Sequence, residues 1–327
     1  MTAANEFLNI VGLINEAKKI FVVGHIMPDG DDISSVLSLG MGLQKLDKEV
    51  SMAIDWKIPS YFSELEEVNL IKTYEDINNF EADLLIIVDA SSPDRIGRFS
   101  EHLNRLKSIV IDHHATNLYF GNYNWVDPTF GAAAQMILRL NKALGVKYDE
   151  KLAHVNLMGI ETDTGFFRYS NADERVFRDA AELISYGARP DKIAKMILEN
   201  KRLEQFQLLS RMIEKLKIEC DGLLAYSYLS QEDYETYNCT EEDSGGFVSE
   251  IRSIKNVEVA IFISEFEKGE IHVSFRSKDW FDVSKIAVSI GGGGHPRAAG
   301  ATLKGDIEEV VNEVVKITKA ALEDELK

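Results

Sequence analysis

The sequence predicts a two-domain α/β protein: a parallel sheet with helices on both faces, followed by a smaller α+β domain. Three observations predict it. Short, continuously apolar runs alternate with segments of helical length through the first half, the pattern of strands buried on both faces. From about residue 220 the pattern changes to strands close enough in sequence to form a hairpin. The chain of 327 residues is also longer than one typical domain.

The N-terminal stretch MTAANEFLNIVGLINEAKKI has the spacing of an amphipathic helix, without a basic leader or a cleavage site. KIFVVG (19–24), EVSMAID (49–55), ADLLIIVDA (82–90) and KSIVID (107–112) read as four strands. DISSVLSLGMGLQKL (32–46) reads as a helix with Asp31 or Asp32 available to cap it, and GAAAQMILRLNKAL (131–144) as another. Residues 150 to about 215 are mostly helical, ending in the long charged stretch DKIAKMILENKRLEQFQLLSRMIEKLK. LLAYSYLS is a further strand, VEVAIFISEFEKGEIHVSFRS (257–277) a hairpin turning at EKGE, and DIEEVVNEVVKITKAALEDELK a closing helix. The expected division is 1–190 for the first domain, 191–215 for a helical linker and 216–327 for the second domain.

Composition narrows the function. Hydrophobic residues make up 45% and charged residues 28%, as in a soluble globular protein, and no apolar run is long enough to span a bilayer. Two cysteines, Cys220 and Cys239, make no disulfide framework, and two reduced thiols in a cytoplasmic protein are expected. With 54 acids against 36 bases the net charge is −18, which argues against a grip on long duplex nucleic acid. A small anionic substrate stays open, because bound cations can dominate a local field.

The chemistry-bearing residues fall just after the strands, where an open parallel sheet forms its binding crevice. GHIMPDGD after the first strand offers His25, Asp29 and Asp31, with Pro28 and Gly30 favouring a tight turn. Asp89 ends the very apolar LLIIVD, where a buried carboxylate needs a partner. Asp112, His113 and His114 end the next strand, and Asp163 lies in GIETDTG. Singly, Asp31 is more simply a helix cap, and Asp89 or Asp163 a turn residue. Together they are several metal-type ligands aimed at one crevice.

HIMPDGD, Asp89, the DHH triplet at 112–114 and TDTG at 162–165 resemble, in order and spacing, the four motifs of the DHH phosphoesterase superfamily. GGGGHPRAAG (291–300) resembles the glycine-rich signature of its DHHA1 domain. Length and layout are similar to the bacterial nanoRNase/pAp phosphatase branch and to stand-alone phosphodiesterases acting on cyclic di-AMP or pApA. The resemblance implies two divalent ions, usually Mn²⁺. His25, Asp29 and Asp89 would hold one, and Asp31, Asp89, His113 and Asp163 the other. It places His114 at the substrate phosphate, with Asp112 orienting a neighbouring histidine or water. It places the loop with Gly293, Gly294 and His295, together with Arg276, on substrate phosphate, in a cleft between the domains. Arg168 in TGFFRYSN is a further substrate-facing candidate.

The expected activity is hydrolysis of short linear oligonucleotides, pApA or nanoRNA, to mononucleotides. A pAp phosphatase, a cyclic di-AMP phosphodiesterase, an exopolyphosphatase or pyrophosphatase, and a non-catalytic nucleotide sensor are the competing readings. A membrane partner is not expected, and the sequence leaves a homodimer open. Two departures from the family pattern stand out: Asp32 where Ala is common, and TFGAAAQMI (129–137) in place of a more hydroxyl-rich stretch.

Overall fold

The computed structural model describes residues 3–77 and 81–326, which form two compact units, 1–200 and 201–327. The first opens with α1 (Ala3–Glu16), β1 (Lys19–Val23), α2 (Gly30–Gln44), β2 (Glu49–Ala53) and the two-residue β3 (Ile71–Lys72). It continues with β4 (Leu84–Val88), β5 (Lys107–Asp112), β6 (Tyr123–Val126), α3 (Ala133–Ala143), α4 (Glu150–Asp163), α5 (Glu174–Ser185) and α6 (Pro190–Leu198).

Its six strands lie in the order β3-β2-β1-β4-β5-β6, and every pairing is parallel. Strand alternation divides the apolar runs between two cores. Ile20 and Val22, Leu84 and Ile86, and Ile109 and Ile111 pack with the α-helices. Phe21 and Val23, Leu85 and Ile87, and Val110 pack with Ile96 and Phe99, which belong to the 3₁₀ segment Pro93–Asn104. The four expected strands and both expected helices form within two residues of the expected ends. The sequence reading lacked β3 and β6. The first has two residues and the second is only half-buried along its length, so neither carries the apolar run that marked the others.

The cap of α2 differs from expectation. Neither Asp31 nor Asp32 is the N-cap; Asp29 is, with Oδ1 accepting from the amides of Asp31 and Asp32 at 3.0 and 3.1 Å. Asp31 and Asp32 therefore lie inside the first turn, and both are buried.

The second unit holds α7 (Leu203–Glu214), β7 (Lys217–Glu219), β8 (Leu224–Leu229), α8 (Gln231–Thr236), α9 (Phe247–Ser253), β9 (Val259–Ser264) and β10 (Glu270–Ser277). α10 (Val283–Ser289), β11 (Gly293–His295), β12 (Ala298–Lys304) and α11 (Ile307–Glu325) complete it. The sheet order is β11-β12-β10-β9-β8-β7, with only β8–β9 parallel. The stretch read as one long helix is two: α6 packs Ile193 and Met196 into the first unit's core, and α7 packs Leu208 and Met212 into the second's. Cys220 and Cys239 are both free thiols. No helix among the described residues is long and apolar enough to cross a membrane.

Candidate metal centre

Strand order decides where the site forms. β1 and β4 are neighbours although β2 and β3 come between them in the chain, so the sheet reverses its winding there. Open α/β sheets bind ligands at such a switch point, beyond the strand C-termini. His25 lies two residues past β1, Asp89 one past β4, and Asp112 ends β5.

Asp89 is the centre. It is 3% exposed, and its backbone sits in the left-handed region at φ 54°. That conformation costs a non-glycine residue about 1–2 kcal/mol; here the surrounding sheet imposes it, with the Asp89 amide donating to Ile111 O at 2.9 Å. Three histidines surround its carboxylate: His25 Nε2 is 3.7 Å from Oδ2, and His113 Nε2 and His114 Nδ1 are 3.5 and 3.6 Å from Oδ1. Oδ1 is buried and makes no hydrogen bond. His113 Nε2 also stands 3.7 Å from Asp31 Oδ2 and 3.8 Å from Asp163 Oδ2. These gaps are too long for hydrogen bonds and suit oxygen and nitrogen donors that share a cation.

Each ring is aimed by its other nitrogen, as in metal-ligating histidines. His25 Nδ1 faces Ile26 O at 2.8 Å, and His113 Nδ1 faces Phe130 O at 3.3 Å. With Nδ1–H donating to Phe130 O, the His113 Nε2 lone pair points at Asp89, while His25 Nδ1 is shared between Ile26 O and the Arg95 guanidinium. His114 is held differently, its Nδ1 lying 2.7 Å from Asp112 Oδ1. Its Nε2 is therefore the ring atom turned away from Asp112.

The carboxylates are fixed by amides distant in sequence. Asp31 accepts from Ala133 and Ala134, at 2.6 and 2.8 Å, and so caps α3 from α2. The Ala-rich departure at 129–137 thus supplies backbone donors. Asp163 ends α4, and Asn171 Nδ2 reaches its backbone oxygen and its Oδ2 at 3.1 and 3.4 Å. Asp32, the other departure, accepts from the His25 amide at 2.8 Å. It lies so close that a Cβ on residue 24 would come 2.2 Å from its Oδ1, so only glycine fits there.

The electrostatics follow from crowding. Burial, then the charges of Asp89 and Asp163, push the Asp31 carboxyl well above its ordinary range. Burial, then Asp29 and Asp112, do the same to Asp89. Burial lowers His25 to about 4. Burial also opposes charge on His113, but Asp163, Asp31 and Asp112 outweigh it and raise that ring. Such a cluster holds protons where a divalent ion would displace them. An orphaned buried oxygen, converging carboxylates and imidazoles, and no thiolate form a donor set that fits Mn²⁺ or a similar divalent ion. His25, Asp29 and Asp89 can converge on one ion, and Asp31, Asp89 and His113 on another.

Arg168 is not drawn into this cluster. Its Nε donates to Gly165 O at 2.8 Å, tying it to its own turn, in which Gly165, Phe166 and Phe167 are all left-handed. The residues missed in the sequence are Arg95, whose Nη2 is 3.0 Å from His25 Nδ1, together with Asn117, Asn171 and Phe130. Arg95 lies in the opening turn of the 3₁₀ segment that follows Asp89 and Asn117 lies in the loop that follows His114, and reading the segments after those residues whole would have included both.

In the second unit the glycine run is no loose loop. Gly293 and Gly294 belong to β11, and a Cβ on Gly292 or Gly294 would come 2.1 Å from Gly300 O or 2.5 Å from Ala298 O. A Cβ on Gly293 would meet nothing within 4 Å. His295 pairs with Ala298, and Ala298 with Arg276. Directly paired residues share a sheet face, so His295, Ala298 and Arg276 stand in one row, the outer two backbones about 10 Å apart. Arg276 Nη1 donates to Phe275 O at 2.9 Å.

A parallel sheet gathering carboxylates and imidazoles at its switch point defines a divalent-metal class of site. The chain belongs to the DHH–DHHA1 family: the sequence model of the DHH family, N-terminal domain, matches residues 19–160, and that of the DHHA1 domain residues 222–324. It is 34% identical to the bifunctional oligoribonuclease and PAP phosphatase NrnA of Thermus thermophilus, over 93% of this chain and 90% of that protein. It is 25% identical to the cyclic-di-AMP phosphodiesterase PdeA of Listeria monocytogenes, over 89% of this chain and 46% of that protein. Among solved structures, an exopolyphosphatase-related protein from Bacteroides fragilis superposes with a TM-score of 0.87 at 26% identity, covering 98% of this chain and 96% of that one.

Proposed function

We propose that this protein is a metal-dependent phosphodiesterase that hydrolyses short linear oligonucleotides, with dinucleotides such as pApA preferred, to mononucleotides, using two Mn²⁺ ions. The observation that carries this reading is Asp89: a buried carboxylate with an orphaned oxygen, ringed by three imidazoles. His25, Asp29 and Asp89 would hold one ion, and Asp31, Asp89, His113 and Asp163 the other. A bound pair of divalent ions supplies a water of lowered pKa and charge stabilisation on phosphoryl oxygens.

The chain's own residues do the rest. Asp112 keeps its proton off: burial opposes its charge, but His114 and Asn117 outweigh burial and hold it below the usual carboxylate range. The ionised carboxylate fixes His114 with Nδ1–H inward, so that Nε2 is the ring atom that would meet a phosphate oxygen. Arg276 offers paired N–H donors to the substrate's other phosphate, and His295 a further donor. The bare backbone at Gly293 leaves room for close approach, with Gly294 shaping the turn. The acidic surface favours a short substrate over a long duplex.

The test is an assay of pApA, longer RNA, pAp and cyclic di-AMP with Mn²⁺ after EDTA stripping. Rapid cleavage of pApA to AMP supports the reading, and failure to cleave any diester refutes it. The T. thermophilus relative's bifunctional name favours one second reading, pAp phosphatase, which release of inorganic phosphate from pAp at a higher kcat/KM would establish.

A further inference from the structure

Behind His114 lies a residue that no motif reading includes. Asn117 is 7% exposed, and its whole amide is engaged. Nδ2 donates to Asp112 Oδ2 at 2.6 Å and to Ala90 O at 3.1 Å, and Oδ1 accepts from the Tyr119 amide at 2.6 Å. An amide group with both donors and its acceptor committed cannot flip without breaking all three bonds. Ala90 follows β4, Asp112 ends β5 and Tyr119 lies in the loop beyond, so Asn117 ties together the two strands that carry Asp89 and the Asp-His-His triplet. It also occupies one oxygen of Asp112 and leaves the other, Oδ1, to His114 Nδ1.

We propose that Asn117 is a positioning residue for hydrolysis, acting through Asp112 to fix the ring orientation and tautomer of His114. The inference rests on the reading above, in which His114 faces the scissile phosphate. Asp112 has a rotatable χ2. With Asn117 in place its carboxylate plane is set, so the imidazole must present Nδ1–H to it and Nε2 to the substrate. Without Asn117, the carboxylate rotates, its Oδ2 loses its partner, and His114 samples both tautomers. The metal donors His113, Asp89 and Asp31 have their own supports and stay as they are. Residues that orient an active-site ring in this way typically matter about 10–100-fold.

The test is a double-mutant cycle in which Asn117→Ala, His114→Ala and the double variant are measured on pApA with Mn²⁺. Asn117→Ala is expected to lower kcat about 10–100-fold with KM within about twofold and Mn²⁺ binding by calorimetry unchanged. In the His114→Ala background the same change should cost less than about twofold. A structural role would cost the same factor in both backgrounds, and that result overturns the proposal. Asn117→Asp, which keeps the shape but sets a carboxylate against Asp112, keeps the test open if the alanine variant does not fold; its loss should be larger. A readout without substrate separates this inference from the functional one. Long-range ¹H–¹⁵N spectra of metal-free protein at pH 8.5 should show His114 as the Nδ1–H tautomer in the wild type and a mixture in Asn117→Ala. An unchanged tautomer would sink the positioning role even if pApA is cleaved; a changed one would uphold it even if pApA is not the substrate.

Discussion

Two buried carboxylates, one in each unit, are built on opposite principles. Asp233, 5% exposed at the start of α8, is fully partnered: Arg211 Nε lies 2.9 Å from Oδ1, Lys215 Nζ contacts Oδ2, and the Ser230 amide and hydroxyl donate at 2.8 and 2.9 Å. Asp89 has an oxygen with no hydrogen bond, a left-handed backbone and carboxylates for neighbours. The shifts have opposite signs. Burial would raise Asp233, but Lys215 and Arg211 outweigh it and bring it to about 2, whereas Asp89 is pushed up. A satisfied acid holds its unit together, and an unsatisfied one among like charges stores repulsion in its unit.

The largest expected effect breaks the Asp89 side. Asp89→Asn should lower activity by on the order of a thousandfold or more. It should also raise the melting temperature of the EDTA-treated protein by about 2–4 °C, by relieving the crowding. A lower melting temperature in metal-free scans would mean that Asp89 is not a site of stored repulsion.

Arg276→Ala sharpens the comparison from the second unit. It should raise KM for pApA about 10–100-fold, the worth of a charged hydrogen-bond pair, with the melting temperature unchanged. An unchanged KM would remove Arg276 from the substrate site.

The smallest effect on activity is expected at Asp233. Asp233→Ala should leave turnover per folded molecule unchanged but destabilise the protein by about 2 kcal/mol in urea at pH 7. A carboxyl whose pKa is depressed on folding adds stability above its unfolded value, and that stability fades as pH falls through the folded value. Here the values are 3.8 and about 2. The gap between variant and wild type should therefore close between about pH 4 and pH 2, and a pH-independent gap would assign Asp233 a purely packing role.

The two units also differ in how much their sequence disclosed. In the first, strands announce themselves as apolar runs and their ends as the first polar residue, so His25, Asp89 and the triplet at 112–114 could be named before any fold was known. In the second, Arg276 and His295 could be named only by resemblance, because a residue on a sheet face looks like any surface residue until its neighbours are known. The glycine run was legible as a motif but not as a hairpin, since the close approach of Gly300 and Ala298 that requires glycine comes from across the strands.

The sequence by itself determined which residues are polar at the ends of buried strands, because apolar periodicity and its interruption are local properties of the chain. It therefore offered His25, Asp89 and the triplet at 112–114 as candidate donors, and the resemblance added Asp29, Asp31 and Asp163. Only the tertiary structure decided that β1 lies against β4, bringing His25 to Asp89; that Asp29, not Asp31, caps α2; and that Asp31 caps α3 about a hundred residues away. It alone selected Ile26, Phe130, Asn117 and Asn171 to aim the rings and carboxylates. The reason is physical. A hydrogen bond depends on distances of a few tenths of an ångström between groups far apart in sequence, and those distances exist only once strand order has been chosen.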